Sequence, residues 1–192
     1  MTSLIRTSVV AEPVVSLRPL RITDRLLIRR WMADRAVIDF TVVVPGPEYG
    51  PVEPYDAVSA DRYLQVLITD PERRSFAIID DDNHVGNVGL KTIDLVNKTS
   101  ECFIEIGERQ ARRRGVAARA MSLLLDIAFD ELGLREVRLG VFDFNHAAIA
   151  LYRRIGFDDA SPVGTHYVGG RYHVINGMRI TAAQWAALRV QH

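Results

Sequence analysis

Two short stretches of the chain combine residue types that could bind an anion and donate a proton. The first runs from Arg112 to Ala117 and joins three consecutive arginines to Gly115 at a predicted helix start. Free backbone amides in the first turn of a helix bind phosphate, and guanidinium groups add charge-assisted hydrogen bonds. The second stretch begins another predicted helix at Asn145, and that helix carries the phenol of Tyr152. A phosphate site coupled to a phenol indicates an enzyme that handles a pyrophosphate-bearing cofactor.

Strands and helices must position both stretches, and hydrophobic periodicity predicts where they lie. Apolar residues at helical spacing predict a helix from about Val116 to Gly133, where glycine is a typical left-handed end. Strands are predicted on either side of this helix, at 101–106 and at 137–141. Tyr152 lies on a short helix from about His146 to Ile155. Each stretch therefore follows the end of a predicted strand.

The rest of the chain adds further predicted elements. They are a strand at 15–20, helices starting near Thr23 and Asp56, strands at 75–79 and 85–93 around a turn from Asp80 to Asn83, a hairpin from Tyr167 to Tyr172 and a last helix from Thr181 to Trp185. Proline and glycine predict a loop from Val42 to Pro54. This order indicates a mixed α/β domain with too many consecutive strands for a doubly wound dinucleotide-binding sheet.

Composition and missing motifs argue against several classes of function. The 192 residues include 24 basic and 24 acidic side chains, so no global field attracts nucleic acid or an anionic membrane. No glycine-rich loop ends in Lys-Ser or Lys-Thr, and no G-x-G-x-x-G follows the first strand. The five histidines lack metal-ligand spacing, so we expect no metal site.

We expect a soluble protein of the cytoplasm. The first fifteen residues lack the apolar run of a signal peptide, and no segment approaches the roughly 18 apolar residues of a membrane span. The single cysteine, Cys102, fits a reducing compartment. We expect it to be a buried structural residue, because no activating histidine or cation is evident beside it.

The two stretches together resemble the signatures of the GNAT superfamily of N-acetyltransferases, especially the branch that acts on ribosomal proteins, polyamines or antibiotics. The run from Arg112 to Ala117 is similar to the family pattern of Gln or Arg, two residues, Gly, one residue, then Gly or Ala. The segment from Asn145 to Phe157 is similar to the second family motif. The element order agrees from about 16 to 180, which implies one domain over 1–192 with that core. One departure is Arg113, where many members have a second glycine.

The resemblance implies a fold and a cofactor. The central sheet would be mixed and mostly antiparallel, flanked by helices, with parallel fourth and fifth strands that splay apart around acetyl-CoA. A bulge in the fourth strand would free backbone donors near 104–107 for the pantetheine and the thioester, while amides of 113–118 would hold the pyrophosphate. The residues that the resemblance places at acetyl-CoA are Ile104, Glu105, Ile106, Gly107, Arg112, Arg113, Arg114, Gly115, Val116, Ala117, Ala118, Asn145, Ala148 and Tyr152.

The implied reaction is direct attack of a primary amine on the thioester. Tyr152 matches the usual general acid of the family, and the alternative is a core tyrosine on the apolar face of its helix. Glu105 is the first candidate for the general base. Glu101 shares its strand face if the strand alternates regularly, and Asp143 could act through water. Structural or surface carboxylates are the alternative for all three.

The acceptor is a small-molecule amine or a peptide amino terminus, and the sequence does not identify it. The acidic loop from Val42 to Pro54 is the first candidate for an acceptor wall, with an exposed connection as the alternative. The hairpin from Tyr167 to Tyr172 is a candidate for the opposite wall or for a dimer contact. Homodimers are common in the branch, so a dimer is left open. The competing function is a non-catalytic CoA-binding sensor or scaffold, and neither nucleic acid nor a membrane is an expected partner.

Overall fold

The computed structural model describes residues 14–190. The strands of this part are β1 (Val15–Pro19), β2 (Arg74–Asp80), β3 (Asn83–Asp94), β4 (Thr99–Ile106), β5 (Glu136–Phe142), β6 (Asp158–Val168) and β7 (Arg171–Thr181). The helices are α1 (Arg25–Met32), α2 (Arg35–Ile38), α3 (Ala57–Thr69), α4 (Val116–Asp126), α5 (His146–Ile155) and α6 (Ala182–Arg189).

The expectation about a signal peptide concerns residues 1–15, nearly all of which lie outside the described residues. Within 14–190, no helix combines the length and the apolar character needed to cross a membrane.

All the described strands form one mixed sheet in the order β1-β2-β3-β4-β5-β7-β6. Only β4 and β5 pair in parallel among these neighbours, and the other pairs are antiparallel. The predicted sheet, with parallel fourth and fifth strands, is therefore confirmed.

The two parallel strands separate soon after they meet. Thr99–Glu101 pairs with Glu136–Arg138, and no pairing follows. β4 nevertheless stays paired with β3 to Ile106, and β5 stays paired with β7 to Phe142. Thus β3 holds β4 and β7 holds β5, while β4 and β5 diverge from each other.

The expected bulge near 104–107 is wrong. The register of β4 with β3 is uninterrupted from Glu101 to Ile106. The irregularity in this pair lies between Lys91 and Asp94, at the other end of β4. The gap therefore results from divergence of the strands and not from a bulge at its mouth.

Helices cover both faces of the sheet. Cys102 of β4 belongs to the same core cluster as Met121 of α4 and Tyr152 of α5. The adjacent Phe103 packs instead in a cluster with Leu67 of α3. Since neighbouring residues of a strand point to opposite faces, α4 and α5 lie on one face and α3 lies on the other. Helices α1 and α3 share a further cluster on that second face.

The long predicted helix ends at Gly133, as predicted, but its last part is not α-helical. The α-helical hydrogen-bond pattern stops at Asp126 and a wider π turn continues over Ile127–Glu131. The amide of Leu132 donates to the carbonyl of Ile127 at 3.1 Å, which is the spacing of a π turn. Gly133 then adopts the left-handed conformation with φ +62°.

Both predicted hairpins are present. Asp81 and Asp82, between β2 and β3, have φ +46° and +66°, and Gly169 and Gly170, between β6 and β7, have φ +60° and +80°. Turns with two left-handed residues match the twist of antiparallel strands. These local turn sequences therefore set where the chain reverses.

Helix α2 was not predicted, because four residues are too few to show a period. Asp34 caps it, since its Oδ1 accepts from the amide of Ala36 at 2.9 Å. The predicted loop from Val42 to Pro54 follows, with one 3-10 turn at Pro47–Tyr49.

Candidate active site

The candidate site is the gap between β4 and β5, which opens beyond Glu101 and Arg138 toward the carboxyl ends of both strands. Beyond these residues, the edges of β4 and β5 that face each other no longer form backbone hydrogen bonds with each other. Unpaired backbone groups at such an edge are the donors and acceptors that a ligand can use. Ile104 and Ile106 lie on the β4 side of the gap. Gly107 follows and packs so closely on the Trp31 ring that a side chain would clash with it.

Alternation along β4 assigns its side chains to two faces. The uninterrupted register places Glu101 and Glu105 on one face, as regular alternation predicts. Cys102, Ile104 and Ile106 point to the opposite face, which α4 and α5 cover. The gap therefore joins a face with candidate carboxylates to a face that holds Tyr152.

Helix α4 begins with an open amide cradle. Gly115 is the N-cap residue, has φ +84° and offers no side chain to cap the helix. The first intrahelical bond runs from the Arg119 amide to the Gly115 carbonyl at 3.0 Å. The amides of Val116, Ala117 and Ala118 precede that bond and lack intrahelical partners. Their dipoles and the helix dipole favour an anion at this position.

Most of the arginines beside the cradle have protein partners. The Arg112 guanidinium donates to the Ile106 carbonyl at 2.9 Å, and Arg114 pairs with the buried Asp80 at 2.9 Å. Arg109 pairs with Asp34 at 3.1 Å. These contacts of Arg112 and Arg114 tie the loop to the sheet, and the predicted place of both residues at the cofactor stays a prediction.

The backbone conformation of Arg113 shows why many members of the family have glycine at this position. It is exposed and has φ +61°, a left-handed conformation that favours glycine. Such a conformation costs a residue with a Cβ about 1 kcal/mol or more. Because Arg113 lies two residues before Gly115, its exposed side chain adds positive charge beside the cradle.

Asn145 caps helix α5. Its side-chain oxygen accepts from the amide of Ala148 at 3.2 Å. Because the oxygen is used in this way, the side-chain NH2 group is the part of Asn145 left to contact a ligand. Ala148 is half-buried and packs against the main core.

Tyr152 is buried in the main core, close to Cys102 and to the ring of Phe157. Burial, with a smaller effect of Cys102, raises the pKa of the Tyr152 phenol. Burial likewise raises the pKa of the Cys102 thiol to about 12. The cysteine is free and buried, which agrees with the expected structural role. Both groups hold their protons at neutral pH.

Glu105 is a buried carboxylate with two hydrogen-bond donors. The side-chain amide of Asn87 donates to Oε1 at 2.5 Å, and the hydroxyl of Tyr63 on α3 donates to Oε2 at 3.2 Å. Burial raises the pKa of the Glu105 carboxyl, and the two hydrogen bonds oppose that shift. Glu101 differs, because its half-exposed side chain pairs with Lys91 at 2.9 Å.

A chain of polar groups continues behind Glu105. The Oδ1 atom of Asn87 lies 3.0 Å from Nε2 of His84, and Nδ1 of His84 lies 3.5 Å from Asp24. Asp24 pairs with Arg18 at 2.7 Å. Sequence analysis missed these residues, although the polar Asn87 within the apolar run from Val85 to Leu90 was a detectable signal.

The two candidate acceptor walls touch each other directly. The Val44 amide donates to Nδ1 of His166 at 3.0 Å, and the Tyr167 amide donates to the Val44 carbonyl at 2.7 Å. The ring of Phe40 contacts that of Phe144, with centroids 6.0 Å apart. The loop therefore packs directly on the strand that leads into the hairpin.

Several acidic residues of the first wall already have partners. Arg35 lies 3.6 Å from Asp39 and 4.0 Å from Glu53. Asp56 caps α3 by accepting from the Ser59 amide at 2.7 Å. These carboxylates are less available to an amine than the sequence suggests.

Comparison with known proteins gives consistent matches. Residues 15–158 match the family model described as acetyltransferase (GNAT) domain. Spermidine N(1)-acetyltransferase of Escherichia coli (strain K12) is 31% identical over 137 residues, which cover 70% of this chain and 73% of that protein. The putative ribosomal N-acetyltransferase YdaF of Bacillus subtilis (strain 168) is 27% identical over 136 residues, with 66% and 73% covered. The crystal structure of spermidine N-acetyltransferase from Vibrio cholerae in complex with CoA and spermine aligns with TM-score 0.77 and 24% identity, over 90% of this chain and 98% of that one.

The buried carboxyl predicts a pH-dependent stability difference. The folded-state pKa of Glu105 is raised above the unfolded value of about 4.3. Its contribution to stability is therefore present below that value and is lost as pH rises through the folded-state pKa. We expect the free energy of unfolding of the wild type to fall relative to that of Glu105→Gln over this rise, as measured by urea unfolding at a series of pH values. Glu101→Gln controls for loss of a half-exposed carboxylate on the same strand, and a wild-type to Glu105→Gln difference that is constant with pH would contradict the prediction.

Proposed function

The chain belongs to the GNAT acetyltransferase family and is an acetyl-CoA-dependent N-acetyltransferase, and we propose that it acetylates a primary amine of a small cationic molecule. The observation that carries the proposal is the gap between β4 and β5, with a buried phenol on one face and a buried carboxylate on the other. A proton donor and a proton acceptor on either side of one opening suit acyl transfer to an amine.

The residues at the start of α4 fit the pyrophosphate of the cofactor. Three free amides follow the left-handed Gly115, and the exposed Arg113 adds positive charge at the rim. We assign the NH2 group of Asn145 and the backbone edge at 104–107 to the rest of the cofactor, which supplies an activated acyl thioester when bound. Amides arranged before the reaction stabilise negative charge as it develops on an acyl oxygen. Among residues 14–190, no cluster of three or more His, Cys, Asp or Glu side chains could hold a metal ion.

We assign Tyr152 as the general acid. Its raised pKa keeps the phenol protonated at neutral pH, and no hydrogen bond among the described residues offsets its burial. A protonated hydroxyl beside the cofactor sulfur can supply the proton that the leaving group needs.

We assign Glu105 as the general base, acting directly or through one water. A protonated amine has a pKa of about 10.4 if it resembles lysine, so it must lose a proton before it can attack. Burial raises the pKa of Glu105 toward that of the amine, which makes the carboxylate a better proton acceptor. Asn87 and Tyr63 fix its position. Glu101 is half exposed and paired with Lys91, so we place it second.

The acceptor class rests on the relatives and on this carboxylate. Relatives named spermidine N(1)-acetyltransferase favour a small cationic amine over a peptide amino terminus. A panel of spermidine, putrescine, an aminoglycoside, free amino acids and short peptides tests this, with release of free thiol from acetyl-CoA as the readout. We expect saturable turnover with at least one of the small cationic amines. Saturable CoA binding without turnover on any amine would instead support a sensor, and turnover on peptides alone would overturn the acceptor class.

Tyr152→Phe tests the general acid. We expect kcat to fall by about 100-fold, which is typical for loss of a general acid, with little change in the Kd for CoA. The substitution removes only the hydroxyl, so the packing of the ring against Phe157 should persist. Steady-state kinetics and CoA titration measure the two quantities. An unchanged kcat would exclude Tyr152 from this role.

Gly115→Glu tests the amide cradle. We expect loss of CoA binding, because a carboxylate at the N-cap would repel the phosphates and occupy their position. Gly133→Glu is the matched control, since Gly133 also has a positive φ, at the end of the same helical segment, and an added Cβ there meets nothing within 4 Å. CoA titration that is normal for Gly115→Glu would discredit the cradle.

A further inference from the structure

A surface cavity that is wide open to solvent lies beyond the end of β5, and the proposed mechanism does not use it. Its volume is about 370 Å³. It is lined by Asp143, Phe144, His146, Arg171, Tyr172 and His173. These residues come from the segment between β5 and α5, from the start of α5 and from the first residues of β7. The cavity therefore lies at the carboxyl end of β5, one of the two strands that border the gap.

Three of the lining side chains form a hydrogen-bonded row. Nε of Arg171 donates to Nε2 of His173 at 3.0 Å, and Nδ1 of His173 lies 2.9 Å from Oδ1 of Asp143. A guanidinium can only donate, so Nε2 of His173 accepts and Nδ1 carries the hydrogen that Asp143 receives. The other oxygen of Asp143 accepts from the Val174 amide at 3.2 Å. The imidazole is thus fixed with its lone pair directed at a cation.

The cation that donates to His173 is the guanidinium of Arg171, a group of the protein itself. Arg171 is exposed at the tip of the β6–β7 hairpin, whereas His173 is 9% exposed. The ring of Phe144 lies edge-on to His173 at 4.8 Å, and the exposed Tyr172 lines the same cavity. Aromatic rings beside a carboxylate favour a positively charged ligand. The exposed guanidinium therefore occupies a place that another cation could take.

Register places His173 on the same face of the sheet as Glu105. Ile175 of β7 pairs with Phe142 of β5, and His173 lies two residues before Ile175, on the same face. The pairing of Glu101 with Arg138 puts Glu105 and Phe142 on that same face as well. His173 and Glu105 therefore face the same side of the sheet, although β7 pairs with the edge of β5 that is turned away from the gap. Asp143, which directly follows β5, connects His173 to the strand that borders the gap.

We propose that this cavity binds a second, non-reacting ammonium group of a diamine or polyamine acceptor, which donates to Nε2 of His173 in place of Arg171. The inference rests on the proposed function, because it assumes that the reacting nitrogen lies near Glu105. Asp143 balances the charge of the bound ammonium through His173, and Phe144 and Tyr172 flank it. An acceptor with two charges is thereby preferred over a monoamine.

Equilibrium binding tests this without relying on turnover. Spermidine and butylamine are titrated calorimetrically into the CoA-saturated protein, with wild type and Asp143→Asn compared. We expect Asp143→Asn to weaken spermidine binding about tenfold, the value of one hydrogen bond to a charged group, and to leave butylamine binding unchanged. Asn keeps an oxygen for the Val174 amide, so the hairpin should fold. Glu72→Gln is the control for loss of one exposed acidic charge, at the opposite end of the sheet.

A second variant keeps the proposal falsifiable if Asp143→Asn unfolds. Arg171→Gln removes the competing guanidinium, so we expect tighter spermidine binding and unchanged butylamine binding. An unchanged or weaker spermidine affinity in Arg171→Gln would overturn the proposal, as would equal losses for both amines in Asp143→Asn. Turnover with the amine panel is measured separately. If turnover is intact but the variants do not change spermidine binding relative to butylamine binding, this inference alone is refuted. Absence of turnover with every amine refutes the proposed function.

Discussion

The divergence of β4 and β5 is the constraint on which the rest of the site depends. Backbone donors and acceptors inside a protein need partners, and a sheet normally supplies them. Here the sheet stops supplying them after Glu101 and Arg138, while β3 and β7 keep the outer edges of both strands paired. The molecule can keep this opening because only the inner edges lose their ladder. Those edges are then available to the amide and carbonyl groups of a bound cofactor.

The buried Glu105 beside this opening is a second arrangement that costs stability. Transferring Glu105 from water is unfavourable, and a buried ion and its partners are often less stable than apolar residues of the same volume. Asn87 and Tyr63 supply two donors, which reduces the cost without removing it, since burial still raises the pKa. An arrangement that does not maximise stability is typical of a functional site. The polar chain through His84 to Asp24 adds two more buried polar side chains to this arrangement.

Sequence could predict the parts of the site that form locally. The left-handed Gly115 and the capping Asn145 act on amides within a few residues, so their patterns are visible in the chain. The partners of Arg112 and Arg114 come from β4 and β2, and nothing local shows that these charges are already used. Glu101 and Glu105 are the same residue type on the same strand face. What separates them is the cover that α3 provides through Tyr63, and this depends on the tertiary fold.

The sheet keeps the two groups to which we assign proton transfer, Tyr152 and Glu105, in different surroundings. Tyr152 faces the apolar core of α4 and α5, where the neighbouring Cys102 is itself held neutral by burial. Glu105 faces α3 and its polar partners on the other side. Because the two groups lie on opposite faces, the carboxylate does not donate to or accept from the phenol. Burial therefore raises the pKa of Tyr152 with no carboxylate bonded to the phenol, and a hydroxyl that keeps its proton at neutral pH fits the proposed role of general acid.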